Sequence, residues 1–420
     1  VYCKIERSCL SGDVVCPSSK SYTHRAVFLA SLADGPSTIE NALLSADTQA
    51  TIAACRKMGS TIFCDDSTLK VEPGTIRPGY IDAANSGTTL RMATAISALA
   101  GGTSQLTGDS SLKKRPMQPL LDALDDLGAA CTSRDGRPPV SVSGKIAGGS
   151  VVLPGNVSSQ FASALLMAAP LTRNGMELTI SGKLVSKPYL DATIHSMRRF
   201  GVNVSVVEPF VQYRVEPQRY RCTNFTVPSD ASGLALILSA SVLAGSNVCI
   251  RANLGDLPQG DRRFMDILNA LGAPISQSDE IISASGPDKL GGGTFDLRDT
   301  PDLLPPLAIL AAKAGKPVKI CNIGHARVKE TDRIAIIARE IAKVGIGVKE
   351  HMDSLVLSPA GKLSGAHLSP HGDHRLFMAF CILGMFVGNC TVSDPESARI
   401  SYPGFVDDMV GLGARITVHE

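Results

Sequence analysis

Tryptophan is missing from all 420 residues, and tyrosine and phenylalanine bring the aromatic share to only 5%. A platform for stacking nucleic-acid bases therefore has little to be built from. Net charge is nearly absent too, at +2. No whole-molecule field steers the chain to nucleic acid or acidic lipid, so any anion site must come from a local cluster of cations. The 11 cysteines, an odd number, show no CxxC and no Cys/His set at zinc-ligand spacing. We read them as reduced thiols, mostly core fillers, in a cytosol-like compartment, with no metal expected. Long apolar runs are lacking: stretches such as 376–387 stop short of the ~18 residues of a membrane span. No basic segment followed by an apolar run opens the chain, so no signal peptide is expected. Charged residues are only 19% against 44% hydrophobic, which excludes a largely disordered chain. Four Asn-x-Ser/Thr sequons, at Asn156, Asn203, Asn224 and Asn389, read as chance.

What is there is a repeat. An amphipathic helical stretch runs into a glycine and then into a β-type stretch, at Gly59, Gly128, Gly201, Gly272, Gly345 and Gly413. The separations are 69, 73, 71, 73 and 68 residues. Each glycine suits the position just past a helix, where the chain turns through the left-handed region. Six such joints at near-constant spacing predict two similar domains of three α/β units each. The turn-rich VPSDAS at 227–232 is the expected crossing point, giving one domain over 18–228 and a second from 1–17 with 229–420. The apolar runs 161–171 and 234–243 are expected as buried helices.

Several segments could carry chemistry. Pro17-Ser18-Ser19-Lys20-Ser21-Tyr22-Thr23-His24-Arg25 opens a helix with hydroxyls and cations, which suits an anion. Taken alone, it reads first as a capped, solvated helix start. Asn85-Ser86-Gly87-Thr88-Thr89-Leu90-Arg91 repeats that logic, with Gly87 allowing close approach of a ligand. Lys113-Lys114-Arg115-Pro116 reads as a basic loop. Ser158-Ser159-Gln160 stand at the mouth of the apolar helix. Arg327-Val328-Lys329-Glu330-Thr331-Asp332-Arg333 reads as a charged helix with Lys329 and Arg333 on one face. Gly372-Asp373-His374-Arg375 heads a very apolar stretch. Asp302 sits among prolines and apolar residues, where burial is expected to raise its pKa toward that of a base.

Taken together and in order, PSSKSYTHRA, NSGTTLR, KKRP, SSQF, LVSKPY, PSDAS, PQGD, RVKETDR, GDHR and SYPGF make the chain resemble the 5-enolpyruvylshikimate-3-phosphate synthase family over nearly its whole length. The resemblance implies an α/β (α+β type) enolpyruvyl transferase fold, with mixed sheets around buried helices and an active site in the cleft between the domains. It implies transfer of the carboxyvinyl group of phosphoenolpyruvate to the 5-hydroxyl of shikimate 3-phosphate, by addition and then elimination of phosphate. It assigns Lys20, Ser21, Arg25, Ser158, Ser159, Gln160, Ser186, Asp302 and Lys329 to shikimate 3-phosphate. It assigns Lys20, Gly87, Arg115, Gln160, Arg333 and Arg375 to phosphoenolpyruvate. Asp302, Glu330 and Lys20 would be catalytic, with Asp302 taking the hydroxyl proton and Glu330 serving the methylene carbon. No cofactor and no metal are implied. The expected partners are the two small substrates, with no nucleic acid and no membrane, in a cytoplasmic monomer.

Three departures stand out. His325-Ala326 replace the family's common Asn-Trp, which weakens the expectation of a substrate contact there. Ile400, beside Arg399, replaces a common lysine, so one cation is lost or Arg399 takes its place. Met92 replaces a common proline after NSGTTLR. The nearest alternative, UDP-N-acetylglucosamine enolpyruvyl transferase, usually carries a cysteine in the loop before Arg-Pro, and none occurs over 108–116. An RNA-end-binding protein of related repeat fold is disfavoured by the low charge and the absence of tryptophan.

Overall fold

A computed structural model describes residues 1–359 and 361–420, and side chains throughout these except that of Ser246. The chain divides into two compact units, Ser18–Pro228 and Val1–Pro17 with Ser229–Glu420. Each unit contains three four-stranded sheets.

All six sheets share one pattern: a parallel pair at one side, then two antiparallel pairings. In the unit Ser18–Pro228, strand Tyr80–Asp82 runs through helix Gly87–Ser97 into the parallel strand Thr103–Thr107. Helix Gln118–Asp126 then leads to the hairpin Ala130–Arg134 and Arg137–Ser143. Parallel neighbours require such a crossover, whereas antiparallel ones need only a turn. The crossover helices are apolar nearly all round, as in Ala231–Ala244 and His374–Val387, because they are enclosed on every side. The second helices, such as Gln118–Asp126, keep a polar face outward.

The six repeat glycines all have positive φ, from 78° at Gly201 to 119° at Gly59. Each follows a second helix of its unit, as at Lys57 and Lys343, and precedes an edge strand. Three sheets are completed by segments distant in sequence. Strand Tyr2–Glu6 lies between Cys390–Ser393 and Arg415–His419, antiparallel to both. Strand Leu10–Val15 pairs parallel with Gly245–Arg251, with all of 18–228 between them. Strand Asn224–Thr226 pairs parallel with Ser37–Glu40.

Three expectations need correction. The apolar run 161–171 is not one helix: helix Ser159–Ala168 gives way to a 3-10 turn, Ala169–Leu171, at Pro170, which lacks the amide hydrogen a helix needs. Arg327–Arg333 is not helical throughout; a 3-10 segment, Gly324–Val328, is followed by bends, and the helix starts only at Arg333. Of the 11 free cysteines only Cys3, Cys16, Cys55, Cys381 and Cys390 are buried, so most are not core fillers. Among the described residues, no helix is long and apolar enough to cross a membrane.

Candidate active site

The candidate residues share one structural feature: nearly all stand at, or within a few residues of, a helix N-terminus. Lys20 and Ser21 open helix Lys20–Ser31. Gly87 opens Gly87–Ser97, and Ser158 caps Ser159–Ala168. Ser186 precedes Lys187–Arg199, and Arg115 stands just before Gln118–Asp126. Asp302 precedes Leu304–Leu310, Arg333 opens Arg333–Lys343, and Arg375 lies in the first turn of His374–Val387. Unpaired N–H groups and the helix dipole make such ends favourable for anions.

In the unit Ser18–Pro228 these ends are wired together. Lys20 Nζ donates to Asp47 Oδ2 at 2.9 Å. Arg25 is buried; it donates from Nε to Thr193 Oγ1 at 2.9 Å, and from its two Nη atoms to the carbonyls of Ser21 and Tyr189, both at 2.8 Å. Burial lowers its pKa to about 10, so it remains charged near neutral pH. Thr193 continues to Ser163 on the helix headed by Ser159. Ser186 holds a left-handed backbone, φ 56°, uncommon for a residue with a Cβ. That geometry aims the chain into Lys187–Arg199.

Around Gly87, three polar tips converge. A Cβ placed there would lie 2.9 Å from Arg115 Nη1, 3.4 Å from Arg91 Nη1 and 3.7 Å from Gln160 Oε1. Arg91 donates to Gln160 Oε1 and stacks on Phe161, 5.1 Å from the ring centre. Gln160 donates from Nε2 to Thr88 Oγ1 at 3.2 Å. The basic run before Pro116 is thus not simply a solvated loop, because Arg115 is buried. Behind Gly87 runs a buried hydroxyl chain. His24 Nδ1 meets Thr51 Oγ1 at 2.6 Å, Thr51 meets Thr89 at 2.6 Å, and Thr89 donates to the Ser86 cap at 2.7 Å. Burial, then the Lys20 and Arg25 charges, hold the His24 ring neutral.

In the other unit, Arg333 is the hub. Its side chain is 1% exposed and donates to three carboxylates: Asp373 Oδ2 at 2.7 Å, Asp302 Oδ1 at 2.8 Å and Glu330 Oε2 at 2.8 Å. Arg375 Nη2 reaches Asp302 Oδ2 at 3.0 Å. Asp373, fully buried, also caps the apolar helix through the N–H of Arg375. Burial works against the Arg333 charge, but Asp373, Glu330 and Asp302 outweigh it and hold its pKa well above the ordinary value.

Asp302 corrects the expectation of a raised pKa. Burial does push it upward, but Arg375, Arg333 and Lys329 together hold the carboxyl well below the usual carboxylate range. The acid whose pKa is raised is Asp261, in the PQGD segment. Burial, then the nearby Asp302 charge, push it up to about 7, while the Ser232 hydroxyl donates to it.

Sequence reasoning missed two residues here. Arg91 lies within NSGTTLR, where nothing local marks it as part of the site. Asp261 lies within PQGD, but its environment comes from residues far along the chain. His325 stands close to Lys329 and Asp302; burial, then Lys329, pull its pKa down to about 4. Its Nε2 is buried with no hydrogen-bond partner among the described residues. Arg399 is exposed and paired with Glu396 at 2.9 Å. Met92 is fully buried inside Gly87–Ser97. No group of three or more His, Cys, Asp or Glu side chains is placed to hold a metal among the described residues.

The pattern of EPSP synthase (3-phosphoshikimate 1-carboxyvinyltransferase) matches residues 5–409. The chain belongs to this family. It is 55% identical over 418 residues to the 3-phosphoshikimate 1-carboxyvinyltransferase of Nitrosopumilus maritimus, covering 99% of each chain. It is 44% identical to the enzyme of the same name from Methanosarcina mazei, covering 98% of each. Among solved structures, an EPSP synthase from Acinetobacter baumannii matches with a TM-score of 0.83 at 25% identity, covering 100% of both chains. The enolpyruvyl transferase NikO from Streptomyces tendae matches in fold, with a TM-score of 0.80 at 18% identity over 99% of this chain and 98% of that one.

Proposed function

We propose that the chain transfers the enolpyruvyl group of phosphoenolpyruvate to the 5-hydroxyl of shikimate 3-phosphate, releasing phosphate, as a step of aromatic amino acid biosynthesis. The observation that carries this reading is the 55% identity to a 3-phosphoshikimate 1-carboxyvinyltransferase over 99% of both chains.

The residue roles are those the family resemblance implies, and the chemistry is consistent with them. Two substrates bearing phosphates and carboxylates need several cations and free N–H groups. Lys20, Ser21, Arg25, Ser158, Ser159, Gln160, Ser186, Asp302 and Lys329 serve shikimate 3-phosphate. Lys20, Gly87, Arg115, Gln160, Arg333 and Arg375 serve phosphoenolpyruvate. The 5-hydroxyl oxygen forms a bond to C2 of phosphoenolpyruvate and its proton passes to Asp302. Glu330 delivers a proton to C3, which becomes a methyl group. In the second stage Glu330 takes a proton back from C3, the double bond re-forms and phosphate leaves, with Lys20 beside both substrates.

The low pKa of Asp302 bears on this sequence. A carboxylate held down by two guanidiniums is a weak base. A phosphate or carboxylate that engages Arg375 and Arg333 offsets their field, so the bound anion itself raises the basicity of Asp302. Proton abstraction then waits for phosphoenolpyruvate. The neutral His325, with Nε2 buried and without a partner among the described residues, is suited to a hydroxyl of the substrate.

A phosphate-release assay tests the reading. Release should require both phosphoenolpyruvate and shikimate 3-phosphate, and UDP-N-acetylglucosamine should not replace the latter. Asp302→Asn and Glu330→Gln should each lose ~10²-fold or more in kcat. Near-normal turnover in either variant removes that residue from the mechanism.

A further inference from the structure

Arg327 opens the most highly charged segment of the chain, yet each of its guanidinium nitrogens already donates within the chain. Nε donates to the carbonyl of Met352 at 2.8 Å. Nη1 donates to both carboxylate oxygens of Asp332, at 3.0 and 2.8 Å. Nη2 donates to Glu350 Oε1 and to the carbonyl of His351, both at 2.8 Å. All three guanidinium nitrogens therefore have acceptors within the chain.

These acceptors belong to two separate elements. Glu350 ends the strand Gly347–Glu350, and His351 and Met352 lie in the turn that joins it to its partner Leu355–Ser358. The same turn receives a second tie, from Ile323 N–H to the carbonyl of Asp353 at 3.0 Å. Asp332 caps helix Arg333–Lys343 by accepting from the N–H of Ala335 at 3.0 Å. After the 3-10 segment ends at Val328, residues 329–331 form only bends, tied at one point by Thr331 Oγ1 to Asp373 Oδ2 at 3.2 Å. Glu330 sits on this stretch, pulled toward the buried Arg333 at 2.8 Å. Irregular backbone holds a side chain to reaction tolerance only when both ends are fixed. Arg327 supplies that fixing by joining the rigid hairpin to the helix cap.

We propose that Arg327 is a positioning residue for Glu330: it touches no substrate, and it holds the loop 328–332 so that the Glu330 carboxylate meets the carbon it protonates. The inference rests on Glu330 being the proton carrier. Arg327→Lys retains the charge but offers one tetrahedral ammonium in place of a planar fork, so the ties to Asp332, Glu350 and the turn carbonyls cannot all be kept.

The test is a double-mutant cycle on the full-length chain with shikimate 3-phosphate and phosphoenolpyruvate. With Glu330 present, Arg327→Lys should lower kcat by about tenfold or more, because small misplacements of a reacting group are costly. KM for shikimate 3-phosphate should stay within about twofold, since no binding contact is removed. In the Glu330→Gln background, Arg327→Lys should change kcat by less than about twofold. Equal losses in both backgrounds, or no loss with Glu330 present, overturn the inference. If Glu330→Gln alone keeps near-normal kcat, the proton-carrier reading fails, and the positioning role falls with it. Glu350→Ala removes a single acceptor, so it serves the same comparison with less risk to folding; its loss of kcat should likewise vanish in the Glu330→Gln background.

Discussion

Replacing Gly87 by alanine separates the needs of the fold from those of the site. The new methyl would lie 2.9 Å from Arg115 Nη1, closer than a carbon and a nitrogen rest, and 3.4 Å from Arg91 Nη1. None of the nearest atoms is backbone, so the chain need not move; the tip of Arg115 must withdraw by roughly half an ångström to regain ordinary contact. Gly87 is the first residue of its helix and has no positive φ, so alanine is compatible with the backbone there. Alanine in a helix gains up to about 1 kcal/mol over glycine. Stability should therefore be unchanged or slightly higher. Anion binding should weaken, because lengthening one charge-assisted hydrogen bond costs about 1–1.5 kcal/mol, or roughly five- to tenfold in KM for phosphoenolpyruvate. Glyphosate, a phosphonate and carboxylate that the family resemblance makes an expected competitor of phosphoenolpyruvate, is longer than that planar substrate and should lose more. Thermal unfolding, KM for both substrates and the inhibition constant for glyphosate decide the matter. An equal rise in the inhibition constant and in KM for phosphoenolpyruvate would refute selective steric exclusion at Gly87. A drop in stability would refute the claim that only side-chain tips are displaced.

Three further outcomes are expected. Asp261 has a folded pKa of about 7, raised by burial and Asp302, so it favours the folded state at low pH and loses that contribution as pH rises from about 4 to about 7. Asp261→Asn should accordingly gain stability relative to the native chain across that window and no further above it; a pH-independent difference in urea midpoints counts against this. Glu340 is buried, and although burial opposes its charge, Lys343, Arg339 and the Ser369 N–H hold its pKa below the ordinary value. Its contribution is present above about pH 4.3 and fades as pH falls through the lowered folded value. Glu340→Gln should cost about 1–3 kcal/mol at neutral pH and less in acid, and equal losses at both would show that the charge is not what matters. The His325 imidazole should titrate near 4 by NMR, and Lys329→Met should raise that value by removing a nearby positive charge; titration near its ordinary value of about 6.5 would show the ring to be solvated.

What the sequence by itself determined were the features that depend on neighbours along the chain. The six glycines announced the ends of second helices because a left-handed exit is a local requirement, and each has the positive φ it called for. The all-round apolar runs announced enclosed helices for the same kind of reason. Ser158, Gly87 and Asp373 could be read as helix starts from adjacent residues alone. Tertiary structure decided whatever depends on charges and strands brought from afar. The Asp302 pKa moved opposite to the expectation because Arg333 and Arg375, 31 and 73 positions onward, lie against it. Arg327 read as one charge of a helix, whereas its Nε and Nη2 donors go to Glu350, His351 and Met352, which only the fold brings beside it. The partner of strand Leu10–Val15 lies beyond a whole intervening unit. Helix propensity and glycine geometry act over a few residues, whereas Coulomb fields, burial and strand pairing act through space, and the fold alone sets those distances.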